Sequence, residues 1–195
     1  MTNDPRPLFG RATEQAAELV ASVRAEQLDG PTPCTEFDVR TLLSHLTGGA
    51  HRVAVVAEGG DAAAVRAFAE GVPDDGWTAA YDEARTRAVK AWAGDDDRLD
   101  AVVRLPFGEM PGRAALSAYA LETVTHTWDL SEALGHPREL DPELAEFALT
   151  VARRMLPDEQ RDDNTPFATA RPAPEGADAY GRLAAWLGRE PLSRA

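Results

Sequence analysis

Residues 112–135, GRAALSAYALETVTHTWDLSEALG, decide the fold class because they predict one long helix over 112–134. The segment contains no proline, and Gly135 suits the left-handed residue that commonly ends a helix. Its central part, LETVTHTWDL at 121–130, nevertheless places ionisable side chains among Leu, Val and Trp. Buried ionisable groups are costly unless they are paired or bound to a metal. The segment therefore predicts a core helix whose polar residues need partners.

The rest of the chain is also predicted to be helical. Apolar residues at helical spacing, together with capping residues, predict five further helices over 8–27, 38–58, 77–92, 141–155 and 177–187. The segment 101–107, AVVRLPF, is a candidate for a short extended piece, although Pro106 argues against a central strand. The acidic cluster of Asp95, Asp96 and Asp97 is expected in a solvated turn. Without internal repeats or sustained polar–apolar alternation, the chain is predicted to be an all-α bundle.

Length and composition bound the classes of function. A chain of 195 residues favours one domain over 1–195, with 160–195 as a C-terminal extension packed on it. A net charge of -13 argues against binding to nucleic acid or to anionic membranes. The single cysteine, Cys34, excludes an internal disulfide and a multi-cysteine metal site, and we expect it to be a small packing residue rather than a reactive thiol.

Location is also predicted from the sequence. No apolar run approaches the length needed to cross a bilayer. The first ten residues, MTNDPRPLFG, lack the basic start and apolar stretch of a signal peptide. The expected location is therefore the cytoplasm.

Three ionisable residues of the long helix share one face. Glu122 and His126 differ by about 40° around a helix, and Asp129 falls about 20° to the other side of Glu122. A carboxylate at position i and a histidine at i+4 form a natural pair of ligands for a divalent metal. This spacing predicts one edge of a metal site.

A third ligand must come from another helix, and His45 is the best candidate. It lies near the apolar stripe of the helix over 38–58, whereas His51 falls about 240° further around that helix. His136 follows a helix end and is expected in solvent. Gly48 and Gly49 interrupt the same helix, where they are expected to permit a close contact or a small opening.

Other interpretations of these residues stay open on spacing alone. His126 could be a hydrogen-bonded core histidine, and Glu122 could pair with it or with an arginine. Asp129 could be a hydrogen-bond acceptor that orients His126 behind the metal, or it could pair with Arg113 or Arg40.

Two segments resemble the metal-ligand motifs of the DinB/YfiT-like bundle superfamily. TPCTEFDVRTLLSHLTGG, residues 32–49, resembles the opening ligand helix. ETVTHTWDLSEALG, residues 122–135, resembles the second motif of the branch that includes mycothiol-dependent maleylpyruvate isomerase. RLPFGEMPG, residues 104–112, and YGRLAAWLGREP, residues 180–191, are similar to segments of actinobacterial paralogues.

The resemblance implies an antiparallel four-helix bundle with additional short C-terminal helices and an open metal site. The ligands that it implies are His45, Glu122 and His126. Two imidazoles and a carboxylate suit Zn, and Ni, Fe or Mn would also bind such a set.

The resemblance also implies a function. It predicts a metal-dependent enzyme that uses a low-molecular-weight thiol such as mycothiol either to isomerise a small molecule or to attach the thiol to it through sulfur (S-transfer). Asp129 would orient His126, and Arg40 or Arg52 would attract the cofactor or an acidic substrate. A metal-dependent hydrolase and a non-catalytic metal-binding module are the alternatives, and the chain is expected to be a monomer or a homodimer.

Overall fold

The structure is a computed structural model that describes residues 4–94, 96–106, 108–135, 139–161 and 167–192. The α-helices within these ranges are α1 (Arg6–Ser22), α2 (Val39–Ala57), α3 (Trp77–Trp92), α4 (Asp96–Asp100), α5 (Gly112–Leu134), α6 (Pro142–Met155) and α7 (Ala179–Trp186). Two strands, β1 (Val102–Leu105) and β2 (Gly108–Pro111), form an antiparallel hairpin. Short 3-10 turns lie at Ala25–Gln27, Ala62–Ala64 and Asp158–Gln160.

Capping residues fix the helix ends where the sequence predicts them. The side chain of Asp38 accepts a hydrogen bond of 2.7 Å from the Thr41 backbone N–H, which starts α2. Asp141 caps α6 and Asp178 caps α7 in the same manner. Gly135 ends α5 in the left-handed conformation, with φ 59.

Four helices form the bundle that carries the site. α1 packs against α3 and α5, and α2 packs against the same two helices. α6 covers α5, and α7 packs on α6 and α5. The predicted apolar stripe of α2 is buried as expected at Val39, Leu42, Leu43, Leu46, Val53 and Val56. The predicted all-α class is therefore confirmed.

Local predictions were wrong at two places. α1 ends at Ser22 rather than near residue 27, because Val23 and Arg24 are extended and Gln27 accepts from the Arg24 backbone N–H to begin a separate turn. Asp96 and Asp97 begin α4 instead of forming a turn. The predicted short extended piece is confirmed at Val102–Leu105, which pairs with Gly108–Pro111 in the hairpin, where Arg104 and Glu109 form a cross-strand ion pair.

Three predicted features involve residues outside the described ranges. These are His136, which was expected in solvent, the first aspartate of the acidic cluster, Asp95, and the end of the AVVRLPF segment, Phe107. Within the described ranges, every helix is too short or too polar to cross a bilayer.

Candidate metal centre

Helices α2 and α5 bring His45, Glu122 and His126 together. One potential ligand atom from each side chain lies within 4.8 Å of the others. Glu122 and His126 share a face of α5, as their spacing of four predicts, and His45 faces them from α2. His51 is not part of this cluster. The structure therefore assembles the three side chains that the sequence analysis selected.

His45 and Glu122 are in direct contact across the two helices. The Nε2 atom of His45 lies 2.8 Å from Oε1 of Glu122, at hydrogen-bond distance. The other ring nitrogen, His45 Nδ1, is buried without a hydrogen-bond partner among the described residues. The rings of His45 and His126 meet edge to face, with their centroids 5.0 Å apart. The two imidazoles therefore point into one small volume beside the carboxylate.

His126 is oriented by Asp129 from behind. Nδ1 of His126 lies 2.9 Å from Oδ2 of Asp129, and the Asp129 side chain is wholly buried. This contact leaves Nε2 of His126 as the nitrogen available to a ligand. A carboxylate behind a metal-binding histidine is a common arrangement because it fixes the ring and its tautomer.

The alternative in which Asp129 pairs with Arg113 or Arg40 is wrong. Asp129 pairs with Arg189, whose Nε lies 3.3 Å from Asp129 Oδ1. Arg113 pairs with Asp100, and Arg40 pairs with Asp74. Both of those pairs form at the surface, where charged side chains keep part of their hydration.

Glu122 is electrostatically suited to remain a carboxylate. Burial raises the pKa of Glu122, but the hydrogen bond with His45 and the electrostatic influence of His45, His126 and Arg52 more than offset it. The net effect is a pKa below the ordinary value for glutamate. An ionised carboxylate is the form that binds a metal.

A narrow cleft opens beside the three side chains. It encloses about 330 Å³, part of which is open to solvent. The wall combines the cluster with mostly apolar and hydroxyl-bearing residues, namely Phe9, Thr13, Leu46, Gly49, Ala50, Val53, Tyr81, Tyr119 and Thr123. The Tyr119 hydroxyl is buried without a hydrogen-bond partner among the described residues. Burial raises the pKa of Tyr119, so that this group remains a neutral hydrogen-bond donor.

The two glycines of α2 have different roles. A Cβ at Gly49 would meet nothing within 4 Å, and Gly49 lines the cleft. A Cβ at Gly48 would lie 2.8 Å from the Phe68 backbone N and closer still to the Ala67 carbonyl. One glycine therefore permits the opening, and the other permits close approach of residues 67–68 to α2.

Residues 65–69 are fastened along one stripe of α2. The backbone and hydroxyl of Ser44 bond to the backbone of Ala69, at 3.0 and 2.8 Å. Arg52 donates from Nε to the Val65 carbonyl at 2.9 Å. In the sequence of α2, Gly48 lies midway between Ser44 and Arg52, and helical residues four apart share a face. The segment is thereby held against the helix that carries His45.

This segment also places the aromatic side chain of Phe68 against the cluster, a contact that was not predicted from the sequence. The Phe68 ring lies 5.2 Å from the His45 ring and 5.7 Å from Phe37, which also contacts His126 at 6.1 Å. Phe68 stays 39% exposed, so it forms part of an accessible apolar edge. Phe37 could have been suspected from its place before the α2 cap, but Phe68 lies in no regular element and gives no sequence signal.

The two candidate arginines are in different environments. Arg52 lies close enough to the cluster to lower the pKa of Glu122 by its charge. Arg40 pairs with Asp74 and Asp29 at the surface.

Cys34 is buried, and burial raises the pKa of its thiol, which fits a packing residue better than a reactive one.

The donor set fits a divalent transition metal. Ligand atoms around a tetrahedral zinc ion, at about 2.1 Å from it, lie roughly 3.4 Å apart. In the structure His45 Nε2 and Glu122 Oε1 lie 2.8 Å apart, and the three ligand atoms all lie within 4.8 Å of one another, so the observed range includes that spacing. The contact of Asp129 with His126 Nδ1 is a further feature expected of a metal-binding histidine.

The bundle and its cluster define a helical protein with a candidate metal centre. Residues 9–131 match the family described as the mycothiol maleylpyruvate isomerase N-terminal domain, in the DinB/YfiT-like branch. The chain belongs to this family, since the match covers more than half of it.

Relatives with comparable length extend the similarity to nearly the whole chain. Two proteins of Mycobacterium tuberculosis, from strains CDC 1551 and H37Rv, are each 37% identical over 186 residues. The alignments cover 95% of this chain and 98% of each relative, and both relatives are named as uncharacterized. No solved structure gives a significant match.

Proposed function

We propose that the protein is a metal-dependent enzyme that uses a low-molecular-weight thiol, such as mycothiol, either to isomerise a small molecule or to attach the thiol to it through sulfur (S-transfer). The observation that carries the proposal is the convergence of His45, Glu122 and His126, with Asp129 behind His126. Such supported clusters are characteristic of metal centres and are costly to bury for structural reasons alone.

Zinc is the metal that the donors favour. His45 and His126 would supply imidazole nitrogens, and Glu122 would supply a carboxylate oxygen. Three protein ligands leave an open position, which is typical of catalytic rather than structural zinc. Nickel, iron and manganese also bind imidazole and carboxylate groups, so the chain's own metal content must identify the ion.

The thiol is proposed from the family and from the form of the site. The family description names mycothiol, and the narrow cleft beside the ligands is partly open to solvent. A divalent metal supplies Lewis acidity, under which a coordinated thiol loses its proton near neutral pH. A thiolate is the nucleophile that both isomerisation by addition and elimination and S-transfer require.

The chain's own residues would bind and orient the reactants. Asp129 holds the His126 ring so that Nε2 faces the site. Arg52, fastened by its Nε to Val65, contributes positive charge that attracts an acidic substrate. The Tyr119 hydroxyl is placed in the cleft wall to donate to a substrate oxygen.

The metal is tested by elemental analysis of protein purified without chelators. About one transition metal per chain is expected, because such sites couple binding to the folded state. H45A and H126A should each abolish binding, whereas H51A, a control on the same helix as His45, should retain it. Full metal content in both H45A and H126A would refute the metal centre.

The thiol is tested separately on the metal-loaded protein. Mycothiol added to the cobalt-substituted protein should change its visible spectrum and raise its melting temperature, because a ligand that binds the native state stabilises it. An unchanged spectrum and melting temperature would leave the metal centre intact and refute thiol use. The hydrolase and non-catalytic alternatives would then be favoured.

A further inference from the structure

Residue Arg189 lies in the C-terminal segment, beyond residues 9–131 that match the family. Its backbone is fixed at the end of α7, where the Arg189 N–H donates to the Ala184 carbonyl at 2.9 Å. Gly188 makes the turn with φ +71, and a Cβ there would lie only 2.7 Å from the Ala168 Cβ. The chain therefore turns tightly at Gly188, against residues 168–169, and directs Arg189 back toward the bundle.

The side chain of Arg189 is held on two sides. Its Nε lies 3.3 Å from Asp129 Oδ1, within ion-pair distance although neither atom has a hydrogen-bond partner among the described residues, and its guanidinium carbon lies 5.6 Å from the centroid of the Phe167 ring. Only 11% of the Arg189 side chain is exposed, and Asp129 is fully buried. An arginine over an aromatic ring is a favourable arrangement that limits its motion.

Asp129 thus has a side chain facing each of its oxygens. Oδ2 faces His126 Nδ1 at 2.9 Å, and Oδ1 faces Arg189. A buried carboxylate is costly unless its oxygens are compensated, and its orientation follows the partners that compensate it. Arg189 therefore influences the orientation of the Asp129 carboxylate, and with it the position of Oδ2 relative to the His126 imidazole.

We propose that Arg189 is a positioning residue for the metal centre. It acts through Asp129, which in turn holds His126 with Nδ1 protonated and Nε2 facing the site. The inference rests on the proposed function, since it assigns to Arg189 a share in the metal affinity of that site. It also gives the C-terminal segment a function beyond covering α5 and α6.

Cobalt binding to metal-free protein tests the proposal. Loss of an outer partner of a metal ligand commonly lowers affinity about 10–100-fold, and we expect this range for R189M. R189K keeps the charge without the planar guanidinium, so its affinity should lie between those of R189M and wild type. The control R182M removes an arginine of α7 that pairs with Glu146 at the surface, and it should bind like wild type.

A double-mutant comparison separates positioning from general destabilisation. If Arg189 acts through Asp129, R189M should weaken cobalt binding far less in a D129N background than in wild type. In metal-free protein, long-range proton–nitrogen NMR should find His126 protonated at Nδ1 in wild type and distributed between tautomers in R189M. A purely structural role would alter melting without this change in His126.

The outcomes distinguish the two proposals. Wild-type protein that binds cobalt tightly, together with folded R189M of equal affinity, overturns the role of Arg189 and leaves the metal centre standing. Wild-type protein that binds no metal refutes the proposed function and this inference with it. If R189M does not fold, R189K decides: weaker binding than wild type supports the proposal, and equal binding overturns it.

Discussion

His126 Nδ1 and Asp129 Oδ2 lie 2.9 Å apart on successive turns of α5, with the aspartate fully buried. This contact decides which nitrogen of the histidine faces the cleft. Asp129 also pairs with Arg189, so contacts run from Arg189 in the C-terminal segment through Asp129 to the candidate ligand His126.

D129N tests the contact directly. The amide keeps the size of the carboxylate but removes the charge that stabilises the ring orientation. We expect the affinity for zinc or cobalt to fall about 10–100-fold while the helical circular dichroism is retained. D75N, at an exposed aspartate before α3, is the control for loss of an acidic charge. Unchanged affinity in D129N would show that the aspartate does not support a ligand.

The glycines of α2 give a matched pair of substitutions. G48A must push residues 67–68 away, and overpacking of this kind costs about 1–3 kcal/mol. G49A meets open space and should gain up to about 1 kcal/mol from helix propensity. Urea unfolding measures both free energies, and equal values for the two variants would contradict the close packing of Gly48.

The cap at Asp38 makes a contribution to stability that depends on pH. Hydrogen bonding from Thr41 holds the pKa of Asp38 below its ordinary value of 3.8, although burial opposes this. The contribution is therefore present above that ordinary value and is lost as the pH falls through the lower, folded-state value. D38A should cost about 1 kcal/mol in the free energy of unfolding at pH 7 and much less in acid.

The control for D38A is D75A, at an exposed aspartate just before α3. Urea unfolding at neutral and acidic pH should show little change in D75A at either pH. A D38A penalty that stays constant into strong acid would contradict ionisation of the cap.

Two tyrosines differ in whether their hydroxyls are paired. Y119F removes a buried hydroxyl without a partner among the described residues, so stability should stay unchanged or rise by about 1 kcal/mol. Y180F removes the acceptor of the Gln15 amide at 2.8 Å and should lose about 1 kcal/mol. Thermal unfolding compares them, and a larger loss in Y119F would reveal a partner for its hydroxyl.

Left-handed glycines at two helix ends test the turn before Arg189. G188A and G135A both force a side chain into positive φ, which costs roughly 1–2 kcal/mol. A Cβ at position 188 also meets Ala168 and Thr169, whereas one at 135 meets nothing within 4 Å. G188A should therefore be the more destabilising in urea unfolding. Equal costs would show that the turn at 188 can relax.

Much of the bundle and the cluster was predictable from local patterns. The bounds of α3, α5 and α6 follow from spacing, caps and breakers, and helical geometry alone places Glu122 and His126 on one face. His45 could be selected because it lies beside the apolar stripe of its helix. These predictions depend on interactions within a few residues, which the sequence displays directly.

The surroundings of the cluster depend on distant backbone contacts. Phe68 reaches His45 because the backbone groups of Val65 and Ala69 bond to Arg52 and Ser44, and backbone groups give no signal in the sequence of residues 65–69. Arg189 reaches Asp129 through a glycine turn after α7. A surface arginine and a buried one look alike in sequence, so Arg40 and Arg113 seemed equally suitable partners.

The hydrogen bond between His45 and Glu122 joins α2 to α5 across 77 positions of the chain. An ion bound by the same side chains would replace this hydrogen bond with metal–ligand bonds between the two helices. The two helices are thus connected with or without the ion, and loading would change the strength of the connection more than the shape of the bundle. Slower amide exchange in α2 and α5, with little change in overall dimensions, is the expected signature.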